Sequence, residues 1–202
     1  MHPGEVGEPA RPALEEGRPD LVAAVQDDPR IKVLTQARVK SIKGQPGQFS
    51  VEVETPDGVE SFRSGAVVQA TGARPYDATK LGHLGYGSPN VITNVQMEEM
   101  LASGAITRPS DGQTPRRIAF IQCVGSRCDE RPYCSKICCS GSVRLAQRLR
   151  EINPNVKNYI IYRDMRTYGL LEQYYESERR AGTVFIKYDP ENKPRVEASG
   201  DR

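Results

Sequence analysis

All five cysteines of the 202-residue chain lie between Cys123 and Cys139, and this cluster limits the possible folds more than any other feature. A secreted disulfide framework spreads its cysteines to staple distant loops, so clustering points to metal or redox chemistry instead. Ten residues separate Cys123 from Cys134, three separate Cys134 from Cys138, and Cys139 follows directly. Four sulfurs can therefore converge. Thiolates are soft ligands for iron–sulfur clusters or zinc, and with no histidine nearby the natural reading is an all-sulfur site. The adjacent Cys138 and Cys139 depart from the two Cys-x-x-Cys knuckles of a zinc ribbon. Cys128 is a spare thiol, a surface residue or an alternative ligand. The competing readings are cysteines acting as small buried hydrophobes, and a catalytic or redox-sensing dithiol.

Around the cluster the chain alternates between strand and helix patterns. Residues 1–20 carry Gly, Pro and Glu without periodicity and are expected to form a disordered leader. Leu21, Val22 and Val25 fit a short helix, and Ile31–Thr35 fits a strand. A small antiparallel meander is expected from Ala37 through Phe49–Val53, punctuated by the turns at Gly44–Gly47 and Pro56–Gly58. Ala66–Ala70 is almost wholly apolar and reads as a buried strand whose tip, at Thr71 and Gly72, meets a ligand or a tight turn. A Gly-, Pro- and Ser-rich connector follows around a helix at Val95–Leu101, with a domain boundary near residue 110.

Beyond that boundary the pattern predicts a strand at Arg117–Gln122, a helix at Val143–Ile152 and a strand at Asn158–Tyr162. A helix at Leu170–Arg180 and a strand at Thr183–Lys187 complete it. Strand–helix repetition implies right-handed parallel crossovers and a doubly wound sheet. The fold class is therefore α/β, a Rossmann-like parallel subdomain (111–202) preceded by a lobe with the meander (21–110). Ligands of such sheets gather outside the carboxyl ends of the strands, where Cys123 sits. That turn has one glycine, Gly125, where the dinucleotide fingerprint needs three, so no nicotinamide cofactor is expected. Cys134–Cys139 are expected to precede the helix, whose N-terminal N–H groups favour thiolates. Tyr159, Tyr162, Tyr168, Tyr174 and Tyr175 are expected to pack sheet against helix, with Tyr168 also a candidate for ligand contact.

These motifs resemble the A-subunit family of heterodisulfide reductase. The resemblance is carried by Ala70–Gly72 with Pro75–Asp77, Tyr86-Gly87 with Pro89–Thr93, Arg108–Gly112, Phe120–Arg127, Tyr133–Ser135 with Cys138-Cys139, and Tyr162–Tyr168. It implies a thioredoxin-reductase-like core with FAD in one lobe and a four-cysteine 4Fe-4S cluster in the other. Under it, Cys123, Cys134, Cys138 and Cys139 correspond to cluster ligands. Val39, Ala70, Thr71 and Gly72 correspond to flavin-lobe positions, with sheet packing or a tight turn as the alternative for each. The resemblance further implies electron relay between FAD and the cluster to partner subunits. The loop between Cys123 and Cys134 is shorter than the family pattern, and no Gly-x-Gly-x-x-Gly or ferredoxin-type cysteine run is present, so the chain is expected to be a piece of a longer protein.

Two other functions compete: a zinc-stabilised protein-docking module, and a thiol–disulfide protein using Cys138 and Cys139. With 28 basic and 26 acidic side chains interspersed to a net charge of +2, neither nucleic acid nor an anionic membrane is an expected partner. No apolar run approaches the roughly 20 residues that span a bilayer, and a cytoplasmic location is expected. His2 and His83 are isolated and read as solvated.

Overall fold

The computed structural model describes residues 19–72 and 74–197. The expected leader lies outside them, apart from Pro19 and Asp20, which open the first helix. The chain divides into two compact units, the first ending at Gly72 and the second taking up the remainder.

The first unit contains α1 (Pro19–Asp27) and a three-stranded antiparallel meander of β1 (Arg38–Lys43), β2 (Phe49–Thr55) and β3 (Gly58–Ser64) in that order. Period-two alternation and two tight turns account for it. Val53 is buried opposite Val39, while Val51 faces Phe62 across the sheet. Gly44 has φ +105° and an added Cβ would lie 2.2 Å from the Gln48 carbonyl oxygen, so only glycine fits that turn. Two expectations fail here. Ile31–Thr35 is irregular, and Ala66–Ala70 is an exposed non-strand segment with Val68 88% accessible. No strand of this unit pairs with either segment, and an apolar run cannot form a strand without a hydrogen-bonding neighbour.

The second unit is built on β4 (Arg117–Ile121), β5 (Lys157–Tyr162) and β6 (Val184–Lys187), parallel and in sequential order. α3 (Cys138–Ile152) and α4 (Leu171–Arg180) make the two crossovers. Both helices feed one core, in which Val143, Leu145, Ala146 and Leu149 of α3 meet Phe120 and Ile160, with Tyr174 and Phe185 against them. The described sheet is thus covered by both helices on one face and is singly wound, which corrects the doubly wound expectation. Strands added in sequential order put successive crossover helices on the same side.

The expected connector belongs to this second unit. α2 (Asn94–Ser103) starts at a capping box between Thr93 and Gln96, ends at Gly104 with φ +73°, and places Met97 and Leu101 in the core. The units therefore divide at Gly72, against an expected boundary near residue 110. The sheet–helix tyrosine packing is seen at Tyr162 and Tyr175, whose rings meet Phe185 edge-on, whereas Tyr168 is 62% exposed.

Glu178 is nearly fully buried. Its carboxylate accepts hydrogen bonds from Arg150 (2.6 and 3.2 Å) and from the Thr183 hydroxyl (2.9 Å), tying α3, α4 and the start of β6 together.

Candidate metal and redox centre

The cysteines line the junction of β4, the loop after it and the first turn of α3. Cys123 follows the strand at φ +60°, a left-handed conformation that costs a non-glycine residue about 1–2 kcal/mol. Arg127 (φ 57°) and Lys136 (φ 62°) are left-handed as well. Among the described residues only Gln36 joins these three non-glycine cases, so backbone strain concentrates in the cysteine loop. Strain of this kind persists where the surroundings over-determine it, commonly at functional sites.

Local contacts hold the loop. Cys128 and Arg131 exchange backbone hydrogen bonds (3.2 and 3.0 Å), and the Arg127 N–H donates to the Tyr133 carbonyl (3.2 Å). The Tyr76 ring lies against Gly125, and the Arg131 guanidinium sits 4.7 Å from its centroid. A Cβ on Gly125 would fall 2.6 Å from that ring, at a residue with φ +63°. Gly125→Val is therefore expected to destabilise the second unit by about 2 kcal/mol through backbone strain and ring displacement. Thermal denaturation beside the parent chain checks this, and an unchanged midpoint would refute the packing.

α3 begins at Cys138, five residues before the expected Val143, so Cys138 and Cys139 lie within the helix and not ahead of it. Ser140 and Gly141 hid this start, because both weaken a helix pattern and Ile137 supplies no side-chain cap. The start follows from the buried stripe Cys139, Ser142, Val143, Ala146 and Leu149, spaced three and four apart. Ser142 and Ala146, fully buried, let the helix approach closely.

Cys123, Cys138 and Cys139 neighbour one another at this junction. The Cys138 sulfur is hydrogen-bonded by the Cys139 thiol, the Ser135 hydroxyl and the backbone N–H groups of Cys123 and Cys139. The Cys139 thiol is the strongest influence, and the whole set outweighs burial to pull Cys138 down to about 5. Cys139 is pushed up, first because it donates to the Cys138 thiolate and then by burial; it also lies 3.8 Å from the Asp164 carbonyl oxygen. Cys123 receives the Arg127 guanidinium at 3.9 Å. Its proximity adds to the burial that raises the Tyr188 phenol to about 12. Cys134 lies on the same loop and accepts from the Lys136 N–H (3.3 Å).

These donors favour the thiolate at Cys138 over Cys139. The alkylation rate of Cys138 in metal-free protein is expected to stay level above about pH 5 and to fall tenfold per unit below it, whereas a free cysteine inflects near ~8.5. Peptide-resolved iodoacetamide kinetics measures this, and an inflection above about pH 8 would refute the assignment.

Sequence reasoning did not single out Arg127, Ser140 or Tyr188. Arg127 pairs with Asp164 at 2.6 Å, which raises the arginine and lowers the carboxylate. The Ser140 hydroxyl is buried without a hydrogen-bond partner. Tyr188 donates to the Gln122 carbonyl (3.2 Å). Arg127 and Asp164 follow adjacent parallel strands, and that placement was the available signal. Among the described residues no three Cys, His, Asp or Glu side chains are arranged to hold one ion.

The flavin-lobe candidates lie in the first unit. Val39 is exposed on β1, and Ala70, Thr71 and Gly72 are exposed in an irregular segment, with Gly72 at φ +70°.

Fold and site together define an α/β protein with a thiol-lined strand–loop–helix junction at the carboxyl end of a parallel sheet. No family model matches the chain. It is 43% identical over 136 residues to the CoB–CoM heterodisulfide reductase iron-sulfur A-subunit 2 of Methanopyrus kandleri, covering 62% of this chain and 21% of that protein. To the A-subunit of the H2/formate:CoB-CoM heterodisulfide,ferredoxin reductase of Methanococcus maripaludis it is 41% identical over 143 residues, covering 65% and 22%. The iron-sulfur A-subunit of the Methanocaldococcus jannaschii CoB–CoM heterodisulfide reductase is 38% identical over 139 residues, 64% and 21%. The chain is a relative of these heterodisulfide reductase A-subunits and spans about a fifth of the length of the curated relatives it matches. Among the described residues no helix is long and apolar enough to cross a membrane.

Proposed function

We propose that this chain is the cluster-bearing part of a heterodisulfide-reductase-A-like flavoprotein and relays electrons between FAD and an iron–sulfur cluster to partner subunits. The observation that carries this reading is the placement of Cys123, Cys138 and Cys139 where β4 ends in a strained loop and the uncapped α3 begins, with neighbouring donors favouring the thiolate form of Cys138. The donor chemistry fits a [4Fe–4S] cluster: Cys123, Cys134, Cys138 and Cys139 would hold it through sulfur alone. The orphaned Ser140 hydroxyl and the N–H groups of the first helical turn are donors suited to anionic sulfur. When bound, such a cluster supplies one-electron storage.

The protein sets the environment. Arg127, held by Asp164, places positive charge beside Cys123. Cys139 is buried, whereas Tyr133, Ile137, Tyr168 and Leu170 expose 60–78% of their surface in the two loops that meet at Cys139. Those apolar side chains suit docking of a partner subunit. Val39 and Ala70–Gly72 would face flavin in the longer protein, offering backbone and small side chains rather than charge. The expected division into a partial flavin lobe with connector (21–110) and a cluster lobe (111–202) is part of this proposal.

Potentiometric titration of anaerobically reconstituted protein, followed by visible absorption, tests the relay. A band that bleaches with a one-electron slope of about 59 mV per decade supports it, whereas the absence of any visible transition contradicts it, and zinc analysis then separates a zinc site from a dithiol.

A further inference from the structure

The loops after β4 and β5 border an open cavity of about 500 Å³ lined by Arg127, Cys128, Asp129, Pro132, Arg163 and Arg166. Its volume falls within the roughly 300–1,000 Å³ of small-molecule sites, and it lies outside the carboxyl ends of parallel strands, where α/β sheets bind ligands. Three of its walls are guanidinium side chains. Beside Pro132 and Cys128 the lining is charged, and no aromatic side chain lines it.

The three arginines are not equivalent. Arg127 is committed to Asp164 at 2.6 Å. Arg163 is fixed by donating one guanidinium N–H to the Arg127 carbonyl (3.2 Å), which leaves its other donors for the cavity. Arg166 is exposed at the rim. The one carboxylate among the lining residues, Asp129, is exposed. A guanidinium presents its donors as a planar fork that matches phosphate oxygens in pairs. A phosphate dianion gives both Arg163 and Arg166 a bidentate acceptor, whereas one carboxylate satisfies a single fork.

We infer that this cavity binds the phosphate group of a small molecule, with Arg163 and Arg166 as its anchors. Of the cysteines only Cys128 lines it, and none of the four proposed cluster ligands does, so the site stands whether or not those cysteines hold iron.

Calorimetric titration of the full chain with pyrophosphate and with inorganic phosphate tests it, with and without iron reconstitution. Arg163→Gln, Arg166→Gln and, as a control at the far end of β4, Arg117→Gln run in parallel, each checked for parent-like circular dichroism. Saturable binding weakened about tenfold or more by either cavity substitution and unaffected by Arg117→Gln is expected, since one charged hydrogen-bonding group contributes about 1.5–3 kcal/mol. Should Arg163→Gln disturb the loop, Arg166→Gln alone decides. No saturable binding of either anion, or equal weakening by Arg117→Gln, overturns the site. Binding of a glutamate-rich peptide but neither phosphate probe assigns the cavity to a protein carboxylate and overturns it equally.

Discussion

A Cys138→Ala chain, reconstituted anaerobically with iron and sulfide, is expected to retain only background iron, while Cys128→Ala retains the parent content. Cys138 sits where the most donors converge. The Cys139 thiol, the Ser135 hydroxyl and two backbone N–H groups stabilise its thiolate, and the thiolate is the metal-binding form. Removing its sulfur takes away the proposed ligand with the lowest proton cost and leaves the Cys139 thiol only the Asp164 carbonyl oxygen, at 3.8 Å, as acceptor. Cys128 instead hydrogen-bonds through its backbone to Arg131 and faces the arginine cavity, so its side chain is dispensable. Iron and sulfide analysis of the two variants beside the parent separates these roles. Equal losses in both would mean that Cys128 belongs to the ligand set.

The second large effect concerns stability. Glu178→Ala is expected to cost the second unit about 3 kcal/mol, because breaking a buried ion pair leaves its partner charge and hydroxyl without acceptors. The carboxylate is 2% accessible and Arg150 27%, so water reaches the arginine after the substitution and holds the loss to the lower end of that range. The Thr183 hydroxyl, bonded to the same carboxylate at 2.9 Å, stays buried and unpaired. For a unit of this size that corresponds to a fall of roughly 10 °C in midpoint. Differential scanning calorimetry reads it directly, and a shift under about 2 °C would show that the pair contributes no more than an exposed one.

Much of this architecture was legible in the sequence. Each parallel strand matched its β-rich run to within a residue at either end, and α2 and α4 did nearly as well, because apolar periodicity and the punctuating Gly and Pro act locally. Two failures share a cause that no local pattern records. Ala66–Ala70 has the composition of a buried strand but lacks a neighbour to pair with in its unit. The singly wound sheet is decided by strand order, which is a long-range property. The start of α3 was obscured for a different reason, since Ser140 and Gly141 read as a break until the burial of Cys139, Ser142 and Val143 shows one continuous stripe.

The clustering of the cysteines was legible from spacing, but their electrostatics were not. The depressed Cys138 depends on the turn that aims the Cys123 N–H at it and on the helical geometry that sets Cys139 beside it. Arg127 and Asp164 stand 37 residues apart and meet only because β4 and β5 are adjacent.

The most direct test of the central claim is metal and acid-labile sulfide analysis of the anaerobically reconstituted chain, with electron paramagnetic resonance before and after dithionite. The account predicts about four iron and four sulfide per chain, silent when oxidised and paramagnetic when reduced, as a four-thiolate [4Fe–4S] site requires. Stoichiometric zinc without sulfide, or a metal-free protein after reconstitution, would contradict it.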